Sequence, residues 1–364
     1  MKKGYLTLEN GEVFEGVLIG DVSEGKGEVV FNTSMTGYQE IVSDPSYAGQ
    51  IITFCYPLIG NVGINLLDNE SRALSLAGVV VSDLCTAPSH YQSVKTFADH
   101  LAQFGVPCLA EVDTRALVKK VRVHGTMKGV IADRPADRAA FFQDWDAPED
   151  WVKCVSTKEI RRYDGSGPHV VLIDYGYKKS ILDALLQAGC RVTVVPYDTP
   201  FETIRVLKPN GIVFSNGPGD PMVLKPWFPE IKRLAETYPA LGICLGHQLI
   251  AAAHGAAIGK LLFGHRGGNH PVKDTETGKV WMTTQNHSYV VKEETVDEHL
   301  FRITYKNVND GSVEGLKHRH LPVETVQFHP EAHPGPRDAE HIFHRFINSM
   351  KYAGEVHHAV ATRN

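Results

Sequence analysis

One cysteine, one histidine and one glutamate in this chain have the types and the order that acyl-transfer chemistry needs. Cys244 lies in Leu241-Gly242-Ile243-Cys244-Leu245-Gly246-His247-Gln248, and His329-Pro330-Glu331 follows downstream. Residues 240–243 read as a short buried strand and 248–253 as a helix, with glycines on both sides of the bend. A thiol on a tight strand-to-helix turn is held clear of its own backbone, and the start of the helix aims N–H groups at it. Both effects favour the thiolate, the reactive form of cysteine. An imidazole, which ordinarily titrates near neutrality, can carry protons in both directions, so His329 is the candidate acid and base. Glu331 is the candidate to orient and polarise it. The three form a Cys-His-Glu arrangement of the kind that makes and breaks acyl-thioesters.

Neither residue would carry this reading alone. A cysteine in an apolar stretch is ordinarily a small core residue, and the chain has 18 histidines. The joint pattern carries it, because Gly-x-Cys-x-Gly-x-Gln with a later His-Pro-Glu is long and ordered.

The elements that must position these groups are legible in outline. Short alternating runs, Tyr5-Leu6-Thr7-Leu8, Val13-Phe14-Glu15-Gly16-Val17-Leu18 and Gly27-Glu28-Val29-Val30-Phe31-Asn32, predict a β-rich start. Apolar spacings of three and four predict helices over 94–104 and 114–121, so residues 1–145 form a mixed α and β domain. Residues 146–168, rich in Asp, Pro, Lys, Arg, Ser and Gly, read as a linker. A second domain, 169–354, then alternates strand (170–173), helix (180–188, stopped by Gly189), strand (192–195) and strand (211–214). That alternation predicts an open, largely parallel α/β sheet with its chemistry at the C-terminal strand ends. Residues 355–364 read as a polar tail. The loop Ser215-Asn216-Gly217-Pro218-Gly219-Asp220-Pro221 leaves one of these strands, and its N–H groups, with that of Leu245, could complete an oxyanion hole. Taken alone it reads as a turn.

Composition excludes several classes. A chain of 364 residues with 43% hydrophobic and 22% charged residues can bury the cores of two globular domains. A net charge of −5 without a basic run argues against nucleic acid or an anionic membrane as partner. No apolar run approaches the roughly eighteen residues that span a bilayer, and the start lacks a signal core, so a cytoplasmic location is expected. The six cysteines (Cys55, Cys85, Cys108, Cys154, Cys190 and Cys244) have no Cys-x-x-Cys pairs, which points away from a zinc site or a disulfide framework. His265, His270, His341 and His344 invite a metal reading, but no acidic or cysteine ligand accompanies them at zinc spacing. No metal is expected.

Residues 240–248 together with His329-Pro330-Glu331 resemble the class I glutamine amidotransferases. The run Phe31-Asn32-Thr33-Ser34-Met35-Thr36-Gly37-Tyr38-Gln39-Glu40, with Asp44-Pro45-Ser46-Tyr47 and Tyr56-Pro57-Leu58-Ile59-Gly60-Asn61-Val62-Gly63, resembles the family of carbamoyl-phosphate synthetase small chains. Asp113-Thr114-Arg115-Ala116-Leu117 and Phe263-Gly264-His265-Arg266-Gly267-Gly268-Asn269-His270-Pro271-Val272 agree, so the resemblance covers essentially the whole chain.

The resemblance implies hydrolysis of L-glutamine to glutamate and ammonia. The ammonia would pass to a separate large chain, in a heterodimer, that makes carbamoyl phosphate from bicarbonate and ATP for arginine and/or pyrimidine synthesis. Cys244 would attack the amide, His329 would protonate the departing ammonia, and Glu331 would orient His329. Backbone donors would fall on Gly217 and Leu245, and glutamine contacts on Ser46, Gly219, Gln248, Asn286, Ser288 and Tyr289. ATP and Mg would belong to the large chain, leaving this chain without a cofactor. Better-known relatives carry Gly-Phe where this chain has Ser288-Tyr289, a change that main-chain contacts can survive. Two rival readings are a glutaminase serving another acceptor, against which the first-domain segments argue, and a silent interaction subunit, against which the retained Cys244 and His329 argue.

Overall fold

The computed structural model describes residues 2–22, 24–137, 145 and 148–361, with side chains described as far as residue 351. It divides into two compact units, Met1–Trp151 with Leu261–Gly267, and Val152–Lys260 with Gly268–Asn364.

The first unit is built on a closed barrel, in the order Lys2–Leu8, Val13–Ile19, Cys108–Ala110, Gly78–Val80, Gln50–Phe54, Gly25–Asn32 and Met127–Ala132, the last pairing back onto the first. Side chains alternate across a strand. Val29, Phe31, Ile51, Val80 and Leu109 therefore enter one apolar cluster, while Val30, Ile52, Val79, Val81 and Cys108 enter another with helix Phe97–Gln103. Burial on both faces explains the continuous apolar runs of these strands. Both helices expected here form. The first is shorter than its apolar spacing suggested because Thr96 accepts the Asp99 N–H at 3.0 Å and caps it. The second, Thr114–His124, is capped by Asp113, which accepts from Ala116 N–H at 2.8 Å, and ends at Gly125 with φ 88°.

The second unit carries a ten-stranded sheet, in the order Arg161–Tyr163, Arg191–Pro196, His169–Asp174, Gly211–Phe214, Ala240–Ile243, Val323–Val326, Val313–His318, Phe301–Asn307, Ile258–Asp274 and Val280–Val291. The second to sixth of these run parallel. Their alternate residues fill two cores. Val171, Ile173, Ile212 and Phe214 pack under helices Phe201–Val206, Phe228–Thr237 and Leu245–Ala253, whereas Val170, Leu172, Val213 and Ile243 pack with helix Lys179–Gln187 and the start of helix His341–Ala361.

The expected open α/β sheet thus has a parallel run of five strands, extended at both ends by antiparallel strands into a mixed sheet. Parallel neighbours need a crossover long enough to hold a helix. The strands Phe301–Asn307, Val313–His318 and Val323–Val326 are joined by turns only, so each must reverse on the last.

Two segments differ from a reading by composition. Within 146–168, read as a linker, lie helix Trp151–Val155 and strand Arg161–Tyr163, which pairs antiparallel with Arg191–Pro196. Its charged residues suit a sheet edge, where neighbouring chains must be kept from pairing. The segment from 355, read as a polar tail, continues helix His341–Ala361, and residues 362–364 lie outside the described residues.

A candidate thiol active site at the strand ends

The parallel strands His169–Asp174, Gly211–Phe214, Ala240–Ile243 and Val323–Val326 deliver their C-terminal ends to one edge of the sheet, where ligand sites form in such folds. Cys244 follows the third of these directly and caps helix Leu245–Ala253 with φ 53° and ψ −103°. A non-glycine residue in this region is strained by about 1–3 kcal/mol and persists only where its surroundings over-determine it. They do so here. The Cys244 N–H donates to Val326 O at 2.8 Å, and the Gly246 N–H donates to Ser215 O at 3.0 Å. A Cβ on Gly246 would lie 2.1 Å from Phe214 O, and one on Gly242 would lie 2.9 Å from Gly246 O. Both glycines are therefore required by close backbone approach, which is the physical content of Gly-x-Cys-x-Gly.

His329 comes from the chain just beyond Val323–Val326, where its N–H donates to Thr284 O at 2.8 Å. Its Nδ1 lies 2.6 Å from Glu331 Oε1, and that oxygen lies 3.2 Å from Lys178 Nζ. Lys178 also donates to the carbonyl of Ala332. All three side chains are buried. A buried charge survives only when paired. Burial pushes the Glu331 carboxyl up, but Lys178 and then His329 outweigh it and hold the group well below the usual carboxylate range. Burial likewise opposes a charged His329, yet Glu331 and Cys244 together raise its basicity above that of an ordinary imidazole. With Nδ1 committed to Glu331, Nε2 is the nitrogen left for proton transfer, and it has no hydrogen-bond partner among the described residues.

The sulfur sits among polar groups. The Cys244 thiol donates to Asn286 O at 3.5 Å, and Gln327 Nε2 lies 3.6 Å from Sγ. Gln248 Nε2 donates to the carbonyl of Tyr289 at 2.7 Å. Asn286, Ser288 and Tyr289 all lie on strand Val280–Val291, with Asn286 and Ser288 buried. Leu245 is the first residue of its helix, so its N–H has no intrahelical acceptor. Gly217 is pressed against the chain just beyond strand His169–Asp174, where a Cβ would lie 2.3 Å from Tyr175 O. Gly219, by contrast, is exposed with φ 87°. Ser46 lies in the first unit, buried on the turn Pro45–Tyr47, with its N–H donated to Asp44 Oδ1 at 2.9 Å.

Lys178 and Gln327 are the site residues that sequence reasoning missed. Nothing local distinguishes Lys178 from Lys179, which is exposed and pairs with Asp183. Lys178 is set by its turn: Asp174 Oδ1 accepts the N–H groups of Gly176 at 2.8 Å and Tyr177 at 3.0 Å, and Asn216 Oδ1 accepts that of Lys178 at 3.0 Å. Gln327 has no local signal either, because strand Val323–Val326 before it already holds Glu324 and Thr325.

His247 and His341 fall into ordinary roles. His247, three residues after Cys244, puts Nδ1 2.7 Å from Thr325 Oγ1. Complete burial pushes its pKa down to about 3, which keeps it neutral. His341 bonds through Nδ1 to Asp338 O and packs against Trp281, while His344 is exposed, so the pair weighed as metal ligands is not arranged around a common point. All six cysteines are free thiols. No helix among the described residues is long and apolar enough to cross a membrane.

The arrangement can generate a thiolate at a strained turn and hold an imidazolium beside it, the equipment for acyl transfer. Comparison with known proteins agrees with that chemistry. Residues 171–349 match the family Glutamine amidotransferase class-I, and residues 6–131 match the family Carbamoyl-phosphate synthase small chain, CPSase domain. The chain is similar to the carbamoyl phosphate synthase arginine-specific small chain of Halalkalibacterium halodurans, at 50% identity over 97% of this chain and 98% of that one. It is similar to the protein of the same description from Bacillus subtilis, at 49% identity over 98% of this chain and 100% of that one. The carbamoyl phosphate synthase small chain of Staphylococcus haemolyticus is 46% identical over 96% of this chain and 97% of that one. A likeness of this depth across both units identifies an enzyme: the chain belongs to the family of carbamoyl-phosphate synthase small chains, the glutamine-hydrolysing subunits that work with a large chain.

Proposed function

We propose that Cys244 is the nucleophile of this glutaminase, His329 its proton carrier and Glu331 the group that orients His329. The thiolate of Cys244 adds to the side-chain carboxamide carbon of glutamine. The oxyanion that forms is held by the backbone N–H groups of Gly217 and Leu245. His329 Nε2–H then protonates the nitrogen, the C–N bond breaks, and ammonia leaves a γ-glutamyl thioester. Water, giving its proton to the same Nε2, attacks the thioester and releases glutamate and the thiolate. The observation that carries this reading is the buried relay Lys178–Glu331–His329, with the carboxylate 2.6 Å from Nδ1, beside a sulfur on a strained turn. Ser46, Gly219, Gln248, Asn286, Ser288 and Tyr289 would contact the glutamine.

The ammonia would be channelled to the large chain, where ATP and Mg act. Physics favours a sheltered route, because free ammonia is largely protonated near neutral pH and ammonium has no lone pair with which to attack. The names of two of these relatives support arginine synthesis as the destination. A cytoplasmic location fits that role.

Acid quenching during turnover with glutamine tests the thioester. A γ-glutamyl adduct is expected on the peptide that carries Cys244, by mass spectrometry, and is expected to be missing from Cys244→Ser. Glutamate release with an adduct on another residue would sink the assignment.

The Glu331 relay has its own signature. Glu331→Gln removes the carboxylate that raises the basicity of His329, while the burial that lowers it stays. The imidazolium that must protonate ammonia is then lost at a lower pH, so the alkaline limb of the kcat profile should move down in pH. A limb that stays in place would show that Glu331 does not act through His329.

A further inference from the structure

We propose that Gln327 is a hydrogen-bond donor to the nucleophilic sulfur, oriented by a relay that starts at the carbonyl of Tyr289; the proposal rests on Cys244 being the nucleophile. Gln327 follows strand Val323–Val326, and its side chain is fully buried. Its Nε2 lies 3.6 Å from Cys244 Sγ, and its Oε1 accepts from Gln248 Nε2 at 3.0 Å. Gln248 Nε2 also donates to Tyr289 O at 2.7 Å.

The direction of every bond in this relay follows from its first member. A backbone carbonyl can only accept, so Gln248 must turn its NH2 group toward Tyr289. The other hydrogen of that NH2 group meets Gln327, which must therefore present Oε1 to it. Gln327 is left with its own NH2 group facing the sulfur. Both hydrogens of Gln248 are spent in this way, and its Oε1 remains as an acceptor for a donor group of the substrate.

The sulfur thus has one partner suited to each of its protonation states. As a thiol, Cys244 donates to Asn286 O at 3.5 Å. Once the proton has moved to His329, that carbonyl offers nothing to a thiolate, whereas an N–H donor stabilises it and holds its direction. Gln327 would couple the reactivity of the sulfur to the side chain expected to receive glutamine.

The test is the rate at which iodoacetamide, a small neutral alkylating agent, modifies Cys244 in the full chain at neutral pH, with Cys244→Ser giving the background from other thiols. Gln327→Met keeps the volume and removes both amide functions, and should slow alkylation and kcat by roughly ten- to a hundredfold. Gln248→Met leaves the sulfur untouched but lets the Gln327 amide turn over, so it should also slow alkylation. The double variant should be no slower than Gln327→Met, since one relay cannot be broken twice. A merely structural role would lower melting temperatures without carrying an effect from Gln248 to the sulfur. Alkylation within about twofold of the parent in folded Gln327→Met, or additive effects in the double variant, would overturn the proposal. Gln248→Met alkylated at the parent rate would overturn the relay even if Gln327→Met did not fold. If Cys244→Ser itself hydrolysed glutamine like the parent, the nucleophile assignment would fail first.

Discussion

Replacing Cys244 by serine is expected to lower kcat for glutamine hydrolysis by roughly 10^4- to 10^6-fold, the loss seen when a nucleophile is removed from a site that acts as a unit. The expected size follows from the tuning of the relay. Glu331, itself held charged by Lys178, raises the basicity of buried His329, so the imidazole keeps its proton through neutral pH. That state suits a thiolate–imidazolium pair, in which the proton has already left sulfur. It does not suit a serine hydroxyl, which must lose its proton to a neutral imidazole during attack. Serine is close to cysteine in size and the turn is fixed by backbone bonds, so the fold should be kept. Glutamate release and the melting temperature, measured on the same sample, check both halves. Activity within a hundredfold of the parent, in a protein that melts like the parent, would mean that another group makes the first bond.

Gly246→Ala should damage both stability and rate. The new methyl would lie 2.1 Å from Phe214 O and 2.7 Å from Phe214 C, atoms of a central strand backbone that cannot swing aside. Strand or helix must move, at a cost of about 3 kcal/mol or more for overpacking a close-packed interior. The movement displaces Cys244 and the N–H of Leu245 together. A misplacement of ~1 Å at reacting atoms can cost roughly a hundredfold in rate. Gly255→Ala is the control. Gly255 has φ 98° and nothing within 4 Å of the added methyl, so only backbone strain of roughly 1–2 kcal/mol remains and the rate should be unchanged. Equal melting temperatures for the two variants would show that the contact with Phe214 is not what makes glycine necessary.

The parts of the site that could be read before folding share one property: their geometry is local. A strand, a glycine-bounded turn and a helix over 240–253 are encoded by neighbours in the chain, and the structure places them as Ala240–Ile243, Cys244 and Leu245–Ala253. His329 and Glu331 are two residues apart, so their contact also needs little beyond the local bend. The alternation of strands and helices from 169 to 253 likewise announces a parallel sheet.

Where contacts join distant stretches, the sequence was silent. The antiparallel half of the sheet was missed because a long strand such as Ile258–Asp274 carries a mixed pattern of exposure, with no clean period to detect. Closure of the first-unit barrel depends on pairing between Lys2–Leu8 and Met127–Ala132, the two ends of its sequence.

Read as amino acids in order, the chain offers Cys244 and His329 as the proposed nucleophile and proton carrier, and it encodes the bend that carries the sulfur, because residue type and short-range stereochemistry suffice for these. Tertiary structure alone chose Lys178 over Lys179 as the counter-charge of Glu331, and aimed the amide of Gln327 at sulfur. Lys178 and the carbonyl of Ala332 that it binds are 154 residues apart. Only assembly of the parallel sheet brings such strand ends within reach, and electrostatic pairing falls off with distance in space rather than along the chain.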